Sequence, residues 1–340
     1  MALQKVAKRD TRRLSKMLKI QPPPGSIELE LMYSFPTKEQ EEQDQYFWDP
    51  YGIVSDPIGN IFVVDYSNTV FKYDSAGKFI KKFGQSGQGP GDLLKPQQIL
   101  TTKDSIVVAE AGNMRLQFFD FEGRYKKNIK IFKWYKSLAI NEDGFIFGAP
   151  LLRRDQAEPK LIDILSKEGK LLYSFGELLN YKYDSDYLNR TFLYLNQKGE
   201  LLVAFEFFPI VRKYSQKGTL VAEYHIETEM MAEKEKHNKE LYSYRPQERV
   251  AYIQTIQCAE EFGDHLFMMY YVPPRVVILE IGEEGKLKST YWINVSDIIN
   301  GGDIDHYLPR DFLPKKKDDR LIFFIQQNYP VPKICVFGQK

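Results

Sequence analysis

Residues 70–84 read VFKYDSAGKFIKKFG, which is an apolar strand, a four-residue turn ending in Gly77 and a more polar second strand. The same hairpin pattern returns along the chain with its turn glycine at Gly123, Gly169, Gly218 and Gly285. The first three intervals between these glycines are 46, 46 and 49 residues. Glycine adopts the positive φ of such turns at little cost. The chain is therefore built on a repeat.

A second repeated signal is a short turn followed at once by an apolar strand. It occurs six times, at residues 61–65, 106–110, 145–149, 200–205, 265–271 and 320–325. The 23 Phe and 22 Tyr of the chain also favour strands, because aromatic side chains suit pleated, half-buried surfaces. Repeats of 40–50 residues that each carry several strands are typical of β-propellers.

The two signals together predict an all-β fold, a six-bladed β-propeller of four-stranded antiparallel blades. The last hairpin, KICVFGQK, lacks an outer strand, and residues 27–35, IELELMYSF, alternate apolar and polar side chains as a half-buried strand does. We expect residues 27–35 to pair with residues 334–337, because closure removes an exposed sheet edge. The predicted domains are a basic leader, helical or disordered, over residues 1–26 and the propeller over 27–340.

The innermost strand of each blade should line a central channel. We place these strands at residues 48–54, 97–102, 136–141, 190–196, 251–258 and 305–312.

Two stretches resemble the repeats of the NHL family. Residues 107–120, VVAEAGNMRLQFFD, are similar to its strand–turn–strand consensus, and residues 83–99, FGQSGQGPGDLLKPQQI, are similar to its loop between blades. The strong likeness covers about a third of the chain and points to bacterial six-bladed propellers of unknown function. The resemblance implies either a binding module or one of the few enzymes of this type, lyases and hydrolases with a metal in the channel. Similar proteins are often exported, although we find no signal peptide here.

No catalytic motif is visible. The glycine-rich run at 84–91 lacks the lysine and serine or threonine that end a phosphate-binding loop. The chain has 4 His, each in a different predicted element, which disfavours a three-histidine zinc site. Only His306 is expected near the channel, so it is a candidate binding residue. We predict no cofactor, and a calcium ion held in the channel by carboxylates and carbonyls stays open.

The most informative loops lie at the middle hairpins of blades 4 to 6, where aromatic residues precede a proline and then a cation. Such residues are typical of binding surfaces, although the same prolines also stiffen long hairpins. We predict a non-enzymatic binding scaffold, one face of which takes a peptide, protein or glycan. The alternative is a channel-sited, metal-dependent hydrolase or lyase. The candidate binding residues in these loops are Phe208, Arg212, Tyr270, Tyr271, Arg275, Tyr329 and Lys333.

Long insertions rim the same face. One of them, residues 227–249, predicts a solvated helix near 229–241 because it is dense in Glu and Lys.

Charge is distributed unevenly. Residues 1–20 carry a balance of +6, whereas the chain as a whole carries +1, so the remainder is mildly acidic and nucleic acid is not expected as a partner. The basic residues of segment 3–19 alternate with apolar ones, and three interpretations stay open: peripheral contact with an anionic membrane, a disordered leader, or the remnant of an export signal. No transmembrane segment is predicted. We expect a soluble monomer in an undetermined compartment.

Overall fold

The computed structural model describes residues 24–152, 158–181, 185–196, 198–243, 252, 254–263, 265–272, 275–282, 284–294, 311–327 and 332–339. The predicted leader therefore lies almost entirely outside the described residues. No helix among the described residues is long and apolar enough to cross a membrane.

Six four-stranded antiparallel blades follow one another along the chain, as predicted. In each blade the strands are called A to D from the channel outwards. Blade 1 consists of β2 (Pro50–Ser55), β3 (Ile61–Asp65), β4 (Thr69–Tyr73) and β5 (Phe79–Phe83). Blade 2 consists of β6 (Pro96–Thr101), β7 (Ile106–Glu110), β8 (Arg115–Phe119) and β9 (Tyr125–Lys130). Blade 3 consists of β10 (Tyr135–Ile140), β11 (Ile146–Pro150), β12 (Ile162–Leu165) and β13 (Leu171–Phe175). Blades 4 to 6 consist of β14 (Thr191–Leu195), β15 (Leu201–Phe205), β16 (Ile210–Tyr214) and β17 (Leu220–His225); β18 (Cys258–Phe262), β19 (His265–Val272), β20 (Arg275–Ile281) and β21 (Leu287–Asn294); and β22 (Phe312–Lys317), β23 (Arg320–Gln327), β24 (Lys333–Gln339) and β1 (Ile27–Phe35).

The N-terminal strand β1 closes the ring. It pairs antiparallel with β24 from Leu29 opposite Gln339 to Phe35 opposite Ile334, which confirms the predicted closure. Its first residues also run parallel to β21, where Ile27 faces Tyr291. Blades 5 and 6 are therefore joined by hydrogen bonds into one eight-stranded sheet.

The repeated hairpin glycines have a second purpose besides the turn. All five have positive φ, and a Cβ added at any of them would clash with strand D of the preceding blade. At Gly77 the obstacle is the ring of Phe35, and at Gly218 it is the ring of Phe175. Because the turn of one blade packs directly on the edge of its neighbour, the glycine repeat also sets the spacing between blades.

Aromatic side chains fill the space between blades. Between blades 6 and 1, Phe35 lies 4.7 Å from Tyr73 and Phe47 lies 5.2 Å from Phe71, as ring centroids. Comparable clusters lie at the other junctions. This packing accounts for the aromatic-rich composition.

Three short helices interrupt the strands in the described part of the chain: α1 (Lys38–Glu42), α2 (Ser185–Leu188) and α3 (Glu229–Ser243). The prediction that α3 is solvated was wrong. Met231, Lys234, Glu235, His237 and Asn238 are all buried. The helix packs on blades 4 and 5, and Met231 belongs to the core cluster between them. The many charged residues of α3 gave no indication in the sequence that one face of the helix is buried.

The predicted A strands of blades 5 and 6 were also misplaced. They were expected at 251–258 and 305–312, but β18 and β22 start where those ranges end. Their sequences, CAEEF and FLPKKK, carry charge because they face the channel, so they lack the apolar pattern of a buried strand.

Candidate functional site

A central channel with a cavity of about 720 Å³ runs between the A strands. Side chains from every blade line its wall. Gly52 and Val54 come from blade 1, Gln97 from blade 2 and Lys136 from blade 3. The wall is completed by blades 4 to 6, and its polar members there are Tyr194, Gln254, Gln257, Cys258, Glu260, Glu261, Asp311 and Lys315.

Two carboxyl groups meet in this wall, Glu260 on β18 and Asp311 immediately before β22. The Asp311 carboxylate accepts hydrogen bonds from the backbone N–H of Ile53 at 3.0 Å and of Phe312 at 2.9 Å. Burial raises the pKa of Asp311, and burial together with the charge of Asp311 raises the pKa of Glu260. Burial also lowers the pKa of Lys315. Burial therefore disfavours two negative charges next to each other in this part of the wall.

A second polar cluster in the wall centres on Glu206. The Lys136 ammonium lies 3.7 Å from Oε2 of the buried Glu206 and 5.0 Å from the centre of the Phe192 ring. Gln254, which also lines the channel, donates its side-chain N–H to the other oxygen of Glu206. The wall thus offers cationic, anionic and amide groups side by side.

Helix α3 supports this cluster from behind. The Lys234 ammonium donates to the backbone carbonyl of Gln254 at 3.1 Å and lies 5.2 Å from the centre of the Tyr270 ring. Burial lowers the pKa of Lys234 to about 7. Asn238 donates to the carbonyl of Phe207 at 2.8 Å. The helix therefore holds in place the segment that presents Gln254 to the channel.

The aromatic residues predicted for ligand binding have structural contacts. Phe208 is buried and stacks on Tyr181 with ring centroids 4.8 Å apart. Tyr270 is fully buried beneath α3. The guanidinium of Arg275 lies 5.3 Å from the centre of the Trp292 ring. Phe208 and Tyr270 stabilise the face from within instead of presenting a surface to a ligand.

Two of the three predicted cations are paired with carboxylates. Arg212 is largely buried and donates through Nε to Glu223 at 2.6 Å. The Lys333 ammonium lies 3.5 Å from Oε1 of Glu41. Their proposed role in binding stays a prediction.

The structure does not describe the side chains of the three remaining candidate residues. Tyr329 and His306 belong to residues that the structure does not describe, and only the backbone of Tyr271 is described. The structure therefore does not bring the predicted set together at one exposed surface.

Exposed aromatics do occur on the same side of the propeller, but on other blades. This side, formed by the loops from B to C and from D to the next A, is here called the loop face. On it the exposed fractions are 72% for Trp48, 42% for Tyr66 and 84% for Phe132. The sequence gives little indication that these residues are exposed, because an aromatic residue next to a strand usually belongs to the core.

Within the described part of the chain, no group of three or more His, Cys, Asp or Glu side chains is arranged to hold a metal ion. Both cysteines are buried free thiols. Burial raises the pKa of Cys335 to about 12, so this thiol is not activated as a nucleophile. A calcium ion in the channel stays a prediction.

A protein family described as a six-bladed β-propeller has a model that matches residues 52–286. No curated protein matches the chain significantly.

Solved propeller structures share the fold at low sequence identity. An exported protein of Bacteroides fragilis is 13% identical, with 94% of this chain and 97% of that chain covered and a TM-score of 0.61. A member of the DUF4221 family from Bacteroides vulgatus is 11% identical, with 93% and 98% covered and a TM-score of 0.55. The virginiamycin B lyase of Staphylococcus aureus with quinupristin is 11% identical, with 92% and 100% covered and a TM-score of 0.53. At these identities the likeness concerns the fold alone.

Proposed function

Because the chain belongs to the DUF5128 family of six-bladed β-propellers, we propose that it is a non-enzymatic binding protein whose ligand enters the central channel. The ligand is the end of a peptide, protein or glycan that approaches from the loop face. The observation that carries this proposal is the channel itself, a cavity of about 720 Å³ lined by polar side chains. We further infer a relationship to NHL-type propellers from residues 107–120.

Size and chemistry support a channel ligand. Cavities that bind small ligands commonly measure about 300–1,000 Å³. The wall combines the Glu260 and Asp311 carboxyls with the Lys136 and Lys315 ammonium groups and the Gln254 amide. Such a set can donate and accept hydrogen bonds from fixed positions on, or just before, the A strands, as a specific site requires.

A variant that fills the channel tests the proposal. Gln97 lies on the channel side of β6, so Gln97→Trp should occupy the cavity. Lys103→Trp, at an exposed turn on the opposite side of the propeller, is the matched control. We would probe arrays of immobilised short peptides and neutral oligosaccharides with each protein. The wild type and the control should bind the same probes, and Gln97→Trp should weaken that binding at least about tenfold. Unchanged binding by Gln97→Trp would reject the channel as the site.

A second candidate, a hydrolase or lyase acting in the channel, is favoured by one observation. Glu260 and Asp311 are neighbouring carboxyls with raised pKa values. A pair that holds one proton near neutral pH supplies a general acid and a general base together. The metal-dependent form of this candidate would add calcium held by carboxylates and carbonyls.

Turnover separates the two candidates. Nitrophenyl esters and nitrophenyl glycosides are suitable probes between about pH 6 and 8, about one unit either side of the Asp311 pKa of about 7. An enzyme should lose about 10²–10⁴-fold in rate in Asp311→Asn and Glu260→Gln while still binding the probe. Absence of turnover by the wild type supports the binding protein. Elemental analysis of the purified protein, and its melting temperature with and without millimolar CaCl₂, tests the calcium ion.

A further inference from the structure

Three aromatic residues belong to the loop face of blade 1, where the backbone N–H of Trp48 bonds to the Asp65 carboxylate, next to Tyr66 in the chain. Trp48 is 72% exposed and Tyr66 is 42% exposed. Tyr51 lines the channel, and its ring lies 6.5 Å from that of Tyr66, with 34° between the ring planes. We call Trp48, Tyr66 and Tyr51 the aromatic ledge. Large aromatic rings left in water at a cavity mouth commonly mark a binding surface.

The ledge is held rigidly by the buried Asp65. One oxygen of its carboxylate accepts the backbone N–H groups of Trp48 at 3.0 Å and Asp49 at 2.8 Å, and the other accepts that of Ser67 at 2.9 Å. The N–H of Tyr66 donates to the carbonyl of Asp49 at 3.0 Å. The backbone on both sides of the ledge is therefore fixed before any ligand arrives, which reduces the entropy lost on binding.

The ledge leads into a wall of mixed charge. The described acidic residues that line the channel are Glu260, Glu261 and Asp311, and the described lysines are Lys136 and Lys315. The described lining therefore carries charges of both signs. A strongly acidic or basic chain would meet like charge on part of this wall, whereas a neutral ligand rich in hydroxyl groups would find donors and acceptors throughout.

From the exposed aromatic ledge, its continuity with the channel and the mixed charge of the wall, we propose that the ligand is a neutral oligosaccharide. The C–H faces of its sugar rings stack on Trp48 and Tyr66, and the terminal sugar enters the channel past Tyr51. Sugars fit because they present apolar ring faces and hydroxyl edges in the same residue. The inference rests on the proposed function, since it assigns the chemical class of the channel ligand.

The test uses isothermal titration of the full chain with five neutral hexasaccharides: maltohexaose, cellohexaose, xylohexaose, mannohexaose and laminarihexaose. The wild type should bind at least one of them. Trp48→Ala and Tyr66→Ala should each weaken binding at least about tenfold, and Trp48→Tyr should retain most of it. The matched control is Phe132→Ala, which removes an even more exposed aromatic from the same face but on another blade. It should bind like the wild type, and all variants should keep the wild-type melting temperature.

The possible failures are distinguishable. If no hexasaccharide binds but short peptides do, and Gln97→Trp abolishes peptide binding, the oligosaccharide is refuted while the channel binding protein stands. If a hexasaccharide binds and Trp48→Ala behaves like Phe132→Ala, the ledge is refuted. If neither sugars nor peptides bind, both the ligand class and the proposed function fall.

Discussion

Glu110 offers the sharpest test of how the blades are held. It ends β7, is fully buried, and its carboxylate accepts four hydrogen bonds. The donors are the backbone N–H of Leu94 at 2.8 Å, Asn113 Nδ2 at 2.7 Å, Arg115 Nε at 2.7 Å and Gln117 Nε2 at 2.8 Å. The carboxylate therefore joins the loop before β6 to the turn after β7 and to β8.

We expect Glu110→Ala to lower the free energy of unfolding by about 3–5 kcal/mol, the usual cost of leaving one partner of a buried ion pair without the other. Arg115 would remain buried, although its guanidinium keeps bonds to the carbonyls of Gln88 and Gly89. Because those bonds remain, the expected loss of unfolding free energy stays in this range. It does not reach the summed cost of leaving four hydrogen-bond donors unpaired. The control is Asp104→Ala, which removes a largely exposed ion pair with Lys126 and should cost less than about 1 kcal/mol.

Urea unfolding followed by fluorescence measures both values. The slope of the unfolding free energy against urea concentration should be the same for both variants, because the surface exposed on unfolding does not change. A loss in Glu110→Ala no larger than that in Asp104→Ala would refute the view that this buried carboxylate organises the loop between blades 1 and 2.

Three further predictions concern closure, spacing and pH. Leu29→Ala in β1 should cost about 2–5 kcal/mol because Leu29 is fully buried, whereas Leu31→Ala in the same strand, where the side chain is 43% exposed, should cost far less in the same urea assay. Gly285→Ala should lower the melting temperature more than Gly263→Ala: both have positive φ, but only at Gly285 would the new Cβ clash, with Tyr224. Between pH 7 and 10 the unfolded chain binds a proton at Lys234 that the folded chain does not, because burial lowers its pKa from 10.5 to about 7. Wild-type stability should therefore rise with pH relative to Lys234→Met, by up to about 1.4 kcal/mol per pH unit, and parallel pH profiles would contradict this.

The sequence alone does not identify the carboxyl pair of the candidate site, because its two residues are far apart along the chain. Neither Asp311 nor Glu260 belongs to a recognisable motif in the sequence. Burial raises the pKa of both groups, and the charge of Asp311, which belongs to a different blade, raises the pKa of Glu260 further. No spacing of residues along the sequence indicates that these two carboxyl groups line the same channel. The exposed Trp48 was missed for a related reason, since exposure depends on what the rest of the fold leaves uncovered.

The burial of Tyr270 and Phe208 illustrates the same limit. Their aromatic-proline loops have the composition of a binding surface, but α3 and the loop containing Tyr181 pack over them.

The sequence by itself determined the repeat, the six blades and the ring closure by β1, because hairpins and alternating strands are encoded by local spacing. Only the tertiary structure decided which side chains face the channel, which carboxyls have a raised pKa and which aromatics stay in water. Those properties arise from burial and from charge interactions between distant parts of the chain, and neither is a local property of sequence.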